Sequence, residues 1–120
     1  MKDKNGKILH NGKEYRLVFN LNAMQAIQEE YGTLSAWGKL TDSKDENGEE
    51  QEPNLKALIF GLTAMINEGI DIENEENGTN HPLLTLKQVG RMISDVGINQ
   101  ASAEMNSTVV KSTESAEKNA

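Results

Sequence analysis

Between two stretches with almost no apolar residues, the segment NLKALIFGLTAMINEG holds the densest helical pattern in the chain. Leu55, Leu58, Ile59, Leu62, Met65 and Ile66 recur at helical spacing, with Pro53 suited to the entry and Gly69 to the exit. A helix over 54–68 with so wide an apolar face has to be surrounded, so it is expected at the centre of the core. The rest of the chain must supply the elements that cover it.

The first cover is a hairpin. Asn11-Gly12 is flanked by Ile8-Leu9-His10 and by Tyr15 to Phe19, and a two-residue Asn-Gly loop favours the type I′ turn. Pairing across it sets His10 opposite Lys13 and Ile8 opposite Tyr15. Ile8, Tyr15, Leu17 and Phe19 then share one face, and the hairpin spans 7–19. Asn22 with Gln25 forms a capping-box pattern for a helix over 22–31, carrying Met24, Ile27 and Tyr31 and stopped by Gly32. Thr33 caps a short helix over 33–40 with Leu34, Trp37 and Leu40. Thr85 with Gln88 opens another over 85–96, with Leu86, Val89, Ile93 and Val96 as its stripe and Gly97 as its stop. Asn99 caps a last helix over 99–110 with Ala101, Met105 and Val109 inward, although Ser, Thr and Val give it low propensity.

Two acidic loops separate these elements. Residues 42–52 read DSKDENGEEQE, six acids against one lysine, and 71–80 are again acidic; both are expected to be solvated. The segment 111–120 is expected to be a disordered tail. The fold class expected is α+β, mainly α: one domain over 1–110, with an N-terminal β-hairpin packed on a bundle of three to five helices.

Composition narrows the function. The chain of 120 residues has a formal net charge of -7, which repels phosphates and anionic lipids and favours basic or apolar protein partners. Without cysteine, disulfides and thiolate chemistry are excluded. His10 and His81 are far apart and lack i, i+4 spacing, so neither a metal site nor a histidine relay is expected. Setting Gly48 or Gly78 at position 6 of a calcium loop leaves Asn54 or Leu84 at position 12, where a glutamate is required. Adjacent acids such as Glu29-Glu30 diverge on a helix and make a poor acid/base pair. No catalytic residue, no cofactor and no enzyme activity is therefore expected. The opening MKDKNGKIL has no apolar run behind its charges, and no stretch nears the roughly 20 apolar residues of a membrane span, so a cytoplasmic chain with no membrane partner is expected. Residues 85–109 have a helix-turn-helix layout, but the second helix offers Gln100, Ser102, Glu104 and Asn106 and no cation before Lys111, so nucleic acid is not an expected partner.

The order of elements carries a resemblance. A hairpin, NGKEYRLVFNLNAMQAIQEEYG, runs straight into a helix ended by Tyr-Gly; an acidic gap follows, then NLKALIFGLTAMINEG and TLKQVGRMISDVG. Over roughly 7–110 this resembles the small tail assembly chaperones of long-tailed bacteriophages and prophages, and the related gene-transfer-agent tail proteins. The resemblance implies a non-catalytic protein of the host bacterial cytoplasm. Such a protein coats the tape measure protein, keeps it soluble, helps recruit major tail (tube) protein subunits and is left out of the mature virion. It also implies a short and a frameshifted longer product. Glu117-Lys118-Asn119 permits the slippery codons GAA AAA AAC. Candidate partner contacts are Trp37, Leu40, Met105 and Val109, each of which has a core role as its plainer reading. Self-association is a further option. The competing functions are a structural tail or head-tail completion protein of the virion and a helix-turn-helix DNA-binding regulator.

Overall fold

The protein was obtained as a computed structural model that describes residues 6–118, with side chains described through Thr113. A two-stranded antiparallel hairpin, β1 (Lys7–His10) and β2 (Lys13–Arg16), leads into five helices: α1 (Leu21–Tyr31), α2 (Leu34–Thr41), α3 (Leu55–Asn77), α4 (Leu86–Val96) and α5 (Ile98–Lys118). The architecture is α+β and mainly α. Helix α3 packs against each of the other helices and against β2, while β1 lies on α4 and α5. Among the described residues no helix is long and apolar enough to cross a membrane.

The turn at Asn11-Gly12 has positive φ at both residues, 52° and 77°, as a type I′ hairpin requires. Its register pairs His10 with Lys13 and Ile8 with Tyr15. Strand β2 ends at Arg16, short of the expected 19: the Leu17 amide still donates in register to the Gly6 carbonyl at 2.8 Å, and the chain changes partner at Val18, whose amide donates to the Met65 carbonyl of α3 at 3.2 Å. Leu17 and Phe19 still turn inward with Ile8.

Helix α1 starts earlier than expected. Its cap is Asn20, which accepts from the Ala23 amide at 3.2 Å, and Asn22 sits in the first turn, donating to Glu68 at 3.2 Å. Thr33 caps α2 and Asn54 caps α3 in the same way. Thr85 and Gln88 complete the expected capping box of α4.

The larger correction concerns Gly69. It does not end α3, which continues to Asn77 and stops at Gly78, in the left-handed region with φ 65°. Most of the loop expected over 71–80 is therefore helix. Gly69 is required by packing, since a Cβ there would stand 2.6 Å from the Arg16 carbonyl oxygen. Two asparagines on α3 then lace the return segment to it. Asn67 exchanges hydrogen bonds with the Leu84 backbone at 2.9 and 2.8 Å, and Asn74 does the same with His81 at 3.0 Å. The 42–52 loop is exposed but not featureless. Lys44 and Glu50 form an antiparallel bridge, and the Asp45 carboxylate accepts from the Asn47 and Glu49 amides at 2.9 and 3.0 Å.

Helix α5 begins directly after Gly97, without the Asn99 cap expected for it, and buries Ala101, Met105 and Thr108. The Thr108 hydroxyl donates to the Glu104 carbonyl and accepts from the Gly6 amide, both at 2.9 Å, tying the two ends of the described chain together. The helical backbone reaches Lys118, about two turns into the segment expected to be a tail, at 3.6 residues per turn; residues 119–120 lie outside the described residues.

Candidate partner-binding groove

Two of the four residues expected to contact a partner are core. Trp37 is 3% exposed and Met105 0%. The Trp37 indole N–H donates to the Ala57 carbonyl at 2.9 Å, and its ring stacks on Phe19 and presses on Gly61, where any Cβ would collide with it. A side chain held by a hydrogen bond, a ring and a glycine notch is committed to the fold, so Trp37 and Met105 are corrected from contact residues to core. Leu40 is 38% exposed on α2, and Val109 is half-buried against the core. Neither Leu40 nor Val109 lines the groove between α3, α4 and α5.

The histidines are placed as follows. His10 is partly sheltered, its Nε2 lying 2.8 Å from Asp95 Oδ2, which joins the hairpin to α4. His81 is exposed, with its backbone held by Asn74.

The concave feature that does form lies between the start of α3, the last turns of α4 and the first turn of α5. It is an open groove of about 930 Å³, toward the upper end of the roughly 300–1,000 Å³ typical of ligand clefts. Leu58 and Ile93 form its buried floor. Leu55 at 54% exposure and Ile98 at 41% stand at its sides, with Ile59 and Val96 half-buried between them. Among the described residues its one charged lining residue is Glu52, at the end of the acidic loop. Pro53 and Asn99 continue into an adjoining polar recess walled by Lys44, Glu50 and Gln51.

The groove exists because three segments meet without filling the corner. Pro53 and the Asn54 cap hold the first turn of α3 outward, leaving Leu55 uncovered. Gly97, at φ 104°, turns the chain sharply from α4 into α5 and exposes Ile98. On α4, Gly90 leaves a gap where a side chain would stand: a Cβ there would meet just the Ile59 Cδ1, at an ordinary 3.6 Å. Leu55 and Ile59 look like core residues in the sequence. The signal that could have found the site is Gly90 itself, a glycine inside a well-capped helix that the packing does not need.

With respect to chemistry, the lining is mostly apolar, with Glu52 as its carboxylate and Asn99 and Gln100 as its side-chain amides. Ser94 is the one side-chain hydroxyl in its wall, donating to the Gly90 carbonyl at 3.1 Å. Comparison of the chain with family models, with curated proteins and with solved structures finds no match.

Proposed function

We propose that the protein is a tail assembly chaperone of a long-tailed bacteriophage, which binds the tape measure protein, keeps it soluble in the host cytoplasm and helps recruit tail tube subunits without catalysis. The observation that carries this reading is the apolar groove between α3, α4 and α5, with Leu55 and Ile98 exposed beside it. A tape measure protein is long, helical and apolar in parts, so its chaperone needs an uncovered apolar seat on an otherwise charged body. The net charge of -7 suits the second requirement. The order of elements, hairpin into helix, acidic gap, central helix and capped helix, supports the same assignment.

The test is co-expression with the tape measure protein encoded beside this chain, followed by pull-down and a solubility assay. The expected result is a soluble complex, with this chain missing from purified particles. An insoluble tape measure protein in the presence of this chain and of any longer frameshifted product would overturn the proposal. Recovery of the chain in finished particles would turn the assignment to a structural virion component.

A further inference from the structure

We infer that the groove is a seat for a single amphipathic helix with an apolar ridge, lysines or arginines along one flank and acids along the other. This deepens the chaperone reading by naming the element the site takes, and the geometry argues it separately.

The first argument is the small-residue row on α4. Gly90 and Ser94 stand one turn apart, and Gly97 closes the row; all three line the groove. A glycine inside a helix sacrifices propensity, and the fold does not call for this one. Gly61 and Gly69 contrast with it: a Cβ would strike the Trp37 ring at the first and the Arg16 backbone at the second. At Gly90 the space is left open instead of being filled from within. A row of small residues lets a second helix approach closely, near the short end of the roughly 8–10 Å range of interaxial distances. The exposed Leu55 and Ile98 then flank the incoming ridge, which has to present apolar side chains at i, i+3 or i+4, and i+7.

The second argument is charge. Glu52 lines one side of the groove, while the recess beside it holds Glu50 together with Lys44. Lys87 and Arg91 each precede a member of the small row by three residues, which places them on the neighbouring row of α4; both are exposed, with no ion pair among the described residues. Neither cation lines the groove itself; an occupant lying along the small row would meet Glu52 on one side and reach Lys87 and Arg91 beyond the other. Such a seat favours a mixed helix over a uniformly basic or acidic one and sets the direction in which it runs. A second copy of this chain fits less well, because at -7 each copy repels the other.

The experiment titrates the full chain with two synthetic helical peptides of equal composition. Both carry leucine at i, i+3, i+4 and i+7; one has lysines on one flank and glutamates on the other, and the second has the same charges scrambled around the polar face. Amide chemical shifts report the site. The flank-sorted peptide is expected to shift Leu55, Gly90 and Ile98 and to bind at least about ten-fold tighter than the scrambled one, roughly 1.4 kcal/mol. Gly90→Leu, which fills the gap, and Leu55→Glu are each expected to weaken it at least about ten-fold, with helical circular dichroism unchanged. Absence of binding, shifts centred elsewhere, or wild-type affinity in both variants would overturn the inference. The two readings fail separately. If the wild-type chain leaves the tape measure protein insoluble while the peptide still seats at Gly90, only the chaperone function falls. If Gly90→Leu solubilises the tape measure protein as well as wild type does, only the groove assignment falls.

Discussion

The two sides of helix α3 are finished differently. Toward the hairpin, α1 and α2, both glycine notches of α3 are occupied: Trp37 fills the space over Gly61, the Arg16 carbonyl rests on Gly69, and Phe19 stacks on the tryptophan. Toward α4 and α5, the first turns of the same helix leave Leu55 half exposed, and Gly90 faces a gap. On the closed side a glycine marks a place where the fold needs room. On the open side it marks room the fold does not use. One helix thus serves as the centre of a core and as the wall of an open groove, and the difference lies in what its neighbours contribute.

Substitutions can break or sharpen that contrast. The largest expected effect is at Trp37. Trp37→Ala removes a fully packed ring and the indole N–H that donates to the Ala57 carbonyl, so urea unfolding should show a loss of about 3–5 kcal/mol. Gly69→Ala forces a methyl against backbone that cannot move aside, for an expected loss of about 1–3 kcal/mol by the same measurement. Loss of less than about 0.5 kcal/mol at either position would mean that the closed side is looser than described. Gly90→Ala should do the reverse. The methyl meets only the end of Ile59 and the helix gains propensity, so thermal unfolding should register a gain of up to about 1 kcal/mol. A destabilised Gly90→Ala would show that the open side is packed after all.

The smallest effect concerns Tyr31, whose ring lies edge-on to Phe60 and whose buried hydroxyl has no hydrogen-bond partner among the described residues. Burial pushes its phenol above the ordinary value, partly opposed by Lys56 and reinforced by Glu30. A folded-state value above the unfolded one means that the native protein holds this proton more tightly. The contribution is then fully present below the unfolded pKa of about 10 and is lost as pH rises through the folded value. Tyr31→Phe is expected to match or slightly exceed wild-type stability at neutral pH and to lose less stability than wild type above about pH 10. Equal loss in both proteins would assign the alkaline transition to other groups.

Much of the fold was legible in the sequence because its signals are local. Asn11-Gly12 determined a hairpin register that the structure reproduces pair by pair, and the Thr85–Gln88 box opened α4 where expected. Gly69 misled because a helix stop and a close-packing glycine look alike until the crossing segment is known, and here that segment, Arg16 to Val18, lies some fifty positions away in the chain. Asn20 and Asn22 are both competent caps, and only the path out of the hairpin selects the first. The groove was the least legible part. Trp37 and Met105 have the chemistry of partner anchors, yet Gly61 and Ala57 claim the first, and the second is buried in the core beside Ala101. The groove is assembled from three separate segments, each with an ordinary apolar pattern.

The most direct test of the central claim, that the open side of α3 is the binding side, is amide hydrogen exchange of the chain alone and in complex with the tape measure protein. The account predicts added protection confined to the first turns of α3, to the stretch from Gly90 to Gly97 and to the first turn of α5, with the hairpin, α1 and α2 unchanged. Protection centred on the hairpin or on α1 and α2, with the groove exchanging as in the free chain, would contradict it.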